Sequence, residues 1–421
     1  MDAVDIGPVP SARRTQSAFD LFLIFAGANI VATTLQTGAS LASGLRPATA
    51  LVLIAVGCLA GSALIAVLAS LGPLLGVPSM IAVRAALGYR GAGLVALLLV
   101  ITNFAWIAVN NVIAASACSR VWGGPDAARP WAAALGVLAT VVVAGGPRLV
   151  ALADRLAVPL LAVVGVAFTA AALRLPPSTA IEPAAGTMNW AGGLDVVIGY
   201  QVSWILMFAD YSRYTPSRRR AGWAVFLGLA LTSLWFMPLG LVAARAAGSS
   251  DPGAMLQALG LGAWGAVLMA VATLTTNFVN IYMSSLAIRS LSPKTGPQRA
   301  VWATGLVGAA LGLYSGAWLD RYAGFMVVLG GLLVPVGGVL AARFFLVREA
   351  VHVPLLYDRD GRQGTWGGFD VAGLAGWAAG CATYYLATGI GGTMPSLLVA
   401  VGVYLAVRRL SVEGQGSRVK S

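Results

Sequence analysis

The chain has 421 residues, of which 58% are apolar and only 10% charged, against roughly 25% charged in an average soluble protein. With a mean hydropathy of +0.83, it carries too little charge to cover a water-facing surface, which excludes a soluble enzyme, a nucleic-acid binder and a disordered chain. The net charge of +12 takes its meaning from where the charges fall.

A charge at mid-bilayer costs about 2.5–3.5 kcal/mol on insertion scales, so crossings show as charge-free runs of about 20 residues. In chain order the runs predict twelve helical crossings, at 18–43, 48–71, 93–119, 131–147, 154–173, 194–212, 222–246, 262–288, 300–317, 322–346, 369–388 and 393–408. Gly72-Pro73 and Val77-Pro78 end the second, and Pro252-Gly253 precede the eighth. The charge-free run 371–407 would be ~55 Å long as one helix, far beyond a bilayer core. It must fold back at Gly391-Gly392-Thr393-Met394-Pro395. The first crossing follows Asp20 with no short apolar region ending in a small-residue cleavage site, so no cleaved signal peptide is expected. The longest hydrophilic stretch, 347–368, is a loop, which leaves no room for a soluble domain.

Twelve crossings put both termini on one side. That side holds 21 of the 27 basic residues and the other 6, so the positive-inside rule makes the termini cytoplasmic, in the inner (cytoplasmic) membrane. Cys58, Cys118 and Cys381 lie singly in apolar runs, and His352 is the one histidine. Neither a disulfide frame, nor a zinc site, nor a His-based triad is indicated.

Four crossings are too polar to face lipid all round. Crossing 1 holds Gly27-Ala28-Asn29 and then Thr33-Thr34-Leu35-Gln36-Thr37-Gly38; crossing 3 holds Asn103, Trp106, Asn110 and Asn111. Crossing 6 holds Gly199-Tyr200-Gln201-Val202-Ser203-Trp204, and crossing 8 holds Thr273-Leu274-Thr275-Thr276-Asn277 with Asn280 one turn on. Buried polar groups find no partners in lipid, so these faces point inward. Gly and Thr also serve close helix packing, but four such clusters together point to a site. Crossings 1 and 6 lie five apart and each is glycine-interrupted, the pattern of an inverted-repeat transporter. The expected fold is all-α and membrane-integral, a single transporter domain: crossings 1–5 (18–173) and 6–10 (194–346) as two repeats, with crossings 11–12 (369–408) added.

Several segments carry a resemblance to a known family. They are Ala209-Asp210-Tyr211-Ser212-Arg213-Tyr214, Thr275-Thr276-Asn277, Asn103-Phe104-Ala105-Trp106, Pro78-Ser79-Met80 through Arg84 with Gly88 between crossings 2 and 3, and Pro335-Val336-Gly337-Gly338. From Gly7-Pro8-Val9-Pro10 to crossing 12 the chain resembles the nucleobase–cation symporter-1 family, the cytosine permease and hydantoin transporter group. The resemblance implies a leucine-transporter-like fold and a sodium site between crossings 1 and 8. Its ligands would be the carbonyls of Gly27, Ile30 and Ala272 and the hydroxyls of Thr275 and Thr276. A hard cation takes such neutral oxygens readily. The resemblance also implies a flat heterocycle stacked on Trp106, its edge met by Asn103 and Asn277, with Ser203 at a polar position of crossing 6. Gln201 stands where the family places a second aromatic, leaving Tyr200 or Trp204 to supply it, and Val31 stands where crossing 1 often carries a Gln or Phe. Asp210 and Arg213, spaced i and i+3, suggest an ion pair at the inner gate.

The function expected is import of a nucleobase-like ring, cytosine foremost, driven by sodium. Hydroxymethylpyrimidine, allantoin or hydantoin are alternative substrates, proton coupling an alternative energy source, and an amino-acid transporter of the same fold a further reading. No Gly-x-x-x-x-Gly-Lys-Ser/Thr motif is present for ATP. No carboxylate or histidine lies well inside a predicted crossing, as an intramembrane enzyme or a proton relay would need. No cofactor is expected beyond the sodium ion; the partners are the ring, sodium and lipid, with no nucleic acid.

Overall fold

The computed structural model describes residues 6–174, 188–292, 294–314, 319–347, 349–358, 366–387 and 389–418. These residues form fifteen α-helices among them. In chain order they are α1 (Ala18–Asn29), α2 (Ala32–Ala39), α3 (Pro47–Ala69), α4 (Leu71–Leu75) and α5 (Ser79–Val121). Next come α6 (Ala128–Ala144), α7 (Pro147–Leu173), α8 (Trp190–Val202), α9 (Arg218–Ala247) and α10 (Pro252–Ala258). The last are α11 (Gly262–Leu291), α12 (Pro297–Gly312), α13 (Tyr322–Ala341), α14 (Val371–Leu386) and α15 (Thr393–Arg418). Seven spans are long and apolar enough to cross a membrane, or eight if α1 and α2, bent by 57° at their junction, form one.

The surface is that of a membrane protein. α3 buries Leu53, Ile54, Cys58 and Ile65 while exposing Leu51, Val52, Val56 and Leu59, and such apolar stripes have no place on a water-soluble monomer. Polar side chains instead lie inside: Asn29, Thr34, Gln201 and Asn277 are fully buried.

Small residues set how closely the helices approach. A Cβ on Gly38 of α2 would overlap the Met237 carbonyl of α9, and one on Gly240 of α9 would overlap the Leu35 carbonyl of α2. The two helices therefore cross backbone to backbone, as small-residue interfaces in membranes allow. Gly199 of α8 meets the Met326 backbone of α13 in the same way, which fixes the position of the next residue, Tyr200.

Three details differ from the sequence expectation. The stretch Pro78–Gly88 is helical rather than a loop: α5 starts at Ser79 and bends at Gly88, where φ is 80°. A side chain there would strike the Gly368 carbonyl and the Asp370 amide, and only glycine adopts such a φ readily. The α-helical part of crossing 6 stops at Val202 and tightens into a 3-10 helix over Ser203–Met207. The last helix continues beyond residue 408 to Arg418. The run 371–407 does fold back, between Leu386 and Thr393, with Gly391 at φ 88°.

Both ends of the described chain meet the same loop. The Tyr357 hydroxyl donates to the Ile6 carbonyl at 2.7 Å, and Arg408 of α15 pairs with Glu349 at 2.6 Å and with Asp370 at 3.5 Å. Burial raises the Glu349 carboxyl, but the hydrogen bond from Arg408 and the charges of Arg408 and Arg343 bring it below its ordinary value. At the opposite end Arg120 pairs with Asp251 at 2.8 Å, and Gln36 donates to the Ser250 carbonyl.

Candidate functional site

The site begins where α1 stops. Its last ladder bond runs from the Ile30 N–H to the Ala26 carbonyl at 3.0 Å, and the next helix opens with Thr34 N–H on the Val31 carbonyl at 3.1 Å. Between them Ile30 turns out of the helix (ψ 70°) and Val31 is fully extended (φ −140°, ψ 165°). β-Branched residues accept extended backbone readily. The break leaves helix-end carbonyls without following N–H groups, and buried carbonyls need partners. The Thr34 hydroxyl takes that of Asn29, at 2.5 Å. The Asn29 amide in turn donates to Thr232 Oγ1 and Ser233 Oγ of α9, at 2.8 and 2.7 Å.

Beside this break lies a cavity of about 40 Å³, space for a few water molecules. Ala28, Val31 and Thr33 line it from the break, Thr102, Asn103 and Trp106 from α5, and Thr276 and Asn280 from α11. Tyr200, Ser203 and Trp204 line it from α8 and the 3-10 segment. Trp106 is 8% exposed. Its ring stands edge-on to Tyr200 (centroids 5.9 Å apart, 82°) and to Phe325 (5.2 Å, 66°). Trp204 leans on Phe25 at 5.5 Å. Such edge-to-face packing holds aromatic walls in place.

Asn103 and Asn280 are both among the lining residues. Asn103 Nδ2 donates to Ser284 Oγ at 2.9 Å and to the Asn280 carbonyl at 3.3 Å. A carbonyl only accepts, so this orientation is fixed and Asn103 keeps its Oδ1 for another donor. Asn280 Nδ2 is a buried donor with no hydrogen-bond partner. Asn277 and Gln201, by contrast, are not among the lining residues. Asn277 is buried between α11 and α5, donating to Asn111 Oδ1 at 2.8 Å and accepting from Asn110 at 3.2 Å. Gln201 turns toward α3 and α9, bonded to Ser62 Oγ at 3.0 Å and Ser233 Oγ at 3.3 Å. The aromatic that crossing 6 gives to the cavity is Tyr200, its immediate neighbour.

Thr275 and Thr276 both donate to the Ala272 carbonyl, at 3.0 and 2.9 Å. Each hydroxyl spends its proton there and keeps its lone pairs free to accept. Thr276 shares the cavity wall with Ala28 and Val31, so it and the helix break face a common space, which Thr275 does not line. Among the described residues no group of three or more His, Cys, Asp or Glu is placed to hold a metal ion, and the oxygens present are neutral.

Asp210 and Arg213 each make bonds besides the pairing that their spacing suggests. Asp210 accepts from the Ser79 hydroxyl of α5, which itself accepts from the Ala209 N–H at 2.8 Å. Arg213 donates to the Gly7 carbonyl at 3.4 Å and the Tyr214 hydroxyl at 2.8 Å. Each residue thus ties the end of crossing 6 to a different segment. Sequence reasoning passed over Asp195, a carboxylate only 7% exposed. It accepts from Gly392 N–H, Thr393 N–H and Thr393 Oγ1 at 2.8, 3.1 and 2.6 Å, capping α15 where its first N–H groups need acceptors.

The profile of a family described as permeases for cytosine/purines, uracil, thiamine and allantoin matches residues 8–406. The Bacillus subtilis (strain 168) protein YxlA, named as a candidate purine-cytosine permease, is 25% identical over 378 residues, covering 85% of this chain and 82% of its own. The cytosine permease of Escherichia coli (strain K12) is 24% identical over 348 residues, covering 82% and 81%. The solved structure of Mhp1, a nucleobase-cation-symport-1 family transporter, closed with bromovinylhydantoin bound, superposes with a TM-score of 0.80 at 19% identity, over 97% of this chain and 95% of that one. The inward-facing form of Mhp1 gives 0.81 at 20% identity over 96% and 93%. At these identities the two structures establish the fold.

Proposed function

The chain belongs to the family of permeases for cytosine/purines, uracil, thiamine and allantoin, and we propose that it carries a flat, neutral, nitrogen-rich ring, cytosine foremost, inward with sodium by alternating access. It is a multi-pass membrane transporter of the nucleobase type and not an enzyme. The proposal extends to twelve crossings, α7, α8, α12 and α14 supplying the four beyond the eight long apolar spans. It includes two inverted repeats of five crossings with two more added, and termini in the cytoplasm.

One observation carries the substrate reading: Trp106 walls a cavity also lined by Asn103, whose Oδ1 is a free acceptor, and by Asn280, whose Nδ2 is an unpartnered donor. A nucleobase edge sets an amino donor beside a ring acceptor, which one carbonyl and one amide N–H can meet together. Stacking on an aromatic face adds about 1–3 kcal/mol. In this reading Asn280 takes the part that the resemblance gave to Asn277, Tyr200 takes the aromatic part left open at Gln201, and Ser203 is a polar neighbour of the ring. Allantoin or a hydantoin is the second candidate, favoured by the hydantoin that Mhp1 holds.

For the ion, the carbonyls of Gly27, Ile30 and Ala272 and the hydroxyls of Thr275 and Thr276 are the proposed ligands. No carboxylate or histidine lines the cavity, which favours sodium over a proton relay. One sodium entering at 100 mV releases about 2.3 kcal/mol, enough for roughly 50-fold accumulation from voltage alone. Asp210, held by Ser79, and Arg213, held by the N-terminal segment, are the proposed inner gate, which must part when the cavity opens inward.

A thermal-shift panel of heterocycles on the purified protein tests the substrate reading. Cytosine or a close relative should raise the melting temperature in sodium and much less in potassium. Stabilisation by amino acids with no response to any heterocycle would overturn it.

A further inference from the structure

Tyr200 touches both halves of the site. Its ring is cavity wall, edge-on to Trp106 at 5.9 Å. Its hydroxyl lies 2.6 Å from Thr34 Oγ1 and 3.2 Å from Asn29 Oδ1. With the Thr34 proton on the Asn29 carbonyl, the one Tyr200 proton is shared between Thr34 Oγ1 and Asn29 Oδ1. Asn29 is the last residue of α1, between Gly27 and Ile30. Asn29 and Thr34 are fully buried and Tyr200 is 3% exposed, so water does not take over a bond that lengthens. The far side of Asn29 is pinned to α9 through Thr232 and Ser233. Any tilt of the Tyr200 ring is therefore passed to the Asn29 peptide and to the carbonyls on either side of it.

We propose that Tyr200 is the positioning residue that couples the ring site to the ion site, through Thr34 and the Asn29 carbonyl at the break in crossing 1. This rests on the sodium-symport reading given above. A heterocycle packed against Trp106 and Tyr200 sets the tilt of the phenol. The phenol then holds the break in the geometry that turns the Gly27 and Ile30 carbonyls toward the ion. The relation is reciprocal: bound sodium fixes the break and presents the phenol to the ring.

The test is a linkage measurement on purified protein, with cytosine as probe. Its dissociation constant is measured in saturating sodium and in potassium, and that of sodium with and without cytosine. Wild type should give the same coupling factor by both routes. Tyr200→Phe keeps the ring and loses the donor. Its coupling factor, the ratio of its cytosine dissociation constants in potassium and in sodium, should fall about fivefold or more, within the usual range of such couplings. Thr34→Val should do the same by breaking the next bond. Tyr404→Phe removes a buried hydroxyl that has no partner and should leave the factor unchanged. A coupled wild type with equally coupled Tyr200→Phe and Thr34→Val variants would overturn the inference and leave the symport reading standing. A wild type that binds cytosine identically in sodium and potassium would overturn both.

Discussion

Trp106→Ala should abolish uptake while the protein still reaches the membrane and stays folded. The indole is the largest surface that the cavity offers to a flat ring, and losing one stacking partner costs about 1–3 kcal/mol, or roughly 5- to 150-fold in affinity. The effect on transport is larger because Trp106 also braces Tyr200 and Phe325, so its removal loosens the wall as well as the stack. Trp106→Phe separates the two contributions. It keeps a smaller stacking face and should retain weakened binding, where alanine retains none measurable. Radiolabelled uptake in cells, normalised to membrane protein, reads the result. Normal uptake by the alanine variant would remove the stacking role altogether.

Thr276→Val is nearly isosteric and removes one oxygen from the space that the helix break and α11 share. Hydrogen-bond-like contacts to charged groups contribute about 1.5–3 kcal/mol each. The sodium concentration needed for half-maximal cytosine binding should therefore rise by roughly 10- to 150-fold. Affinity for the ring at saturating sodium should change far less, because Thr276 lies beside the ring site and the amides that read the edge remain. The hydroxyl's hydrogen bond to the Ala272 carbonyl is the common arrangement of a membrane-helix threonine, so its loss alone gives a small fall in melting temperature and no change in ion response. An unchanged sodium response in this variant would reduce the threonine pair to helix packing.

The sequence makes the outline legible because a bilayer leaves few alternatives. Charge-free runs mark helices, and polar clusters within them mark faces turned inward. The finer placements depend on helix rotation, which local spacing leaves open. Asn277 and Asn280 are one turn apart and share a face, yet Asn277 meets Asn110 and Asn111 while Asn280 lines the cavity. Only the register between α5 and α11 decides which does which. Gln201 and Tyr200 are adjacent and so point about 100° apart on a helix; Gly199, pressed against α13, sends Tyr200 to the cavity and Gln201 to α3. The break in crossing 1 falls at Ile30-Val31 rather than at a glycine. Its sequence signal is Thr34, whose hydroxyl satisfies the opened Asn29 carbonyl. The role of Asp195 is not legible locally, because its partners, Gly392 and Thr393, stand nearly two hundred residues away.

Uptake into proteoliposomes tests the central claim most directly. The vesicles carry purified protein and an inside-negative potassium-diffusion potential, with pH equal on both sides and sodium present only outside. Cytosine, or the ring that the panel selects, should accumulate well above its outside concentration, and the gradient should collapse when choline replaces sodium. Accumulation that ignores sodium and appears only with an imposed proton gradient would contradict the account.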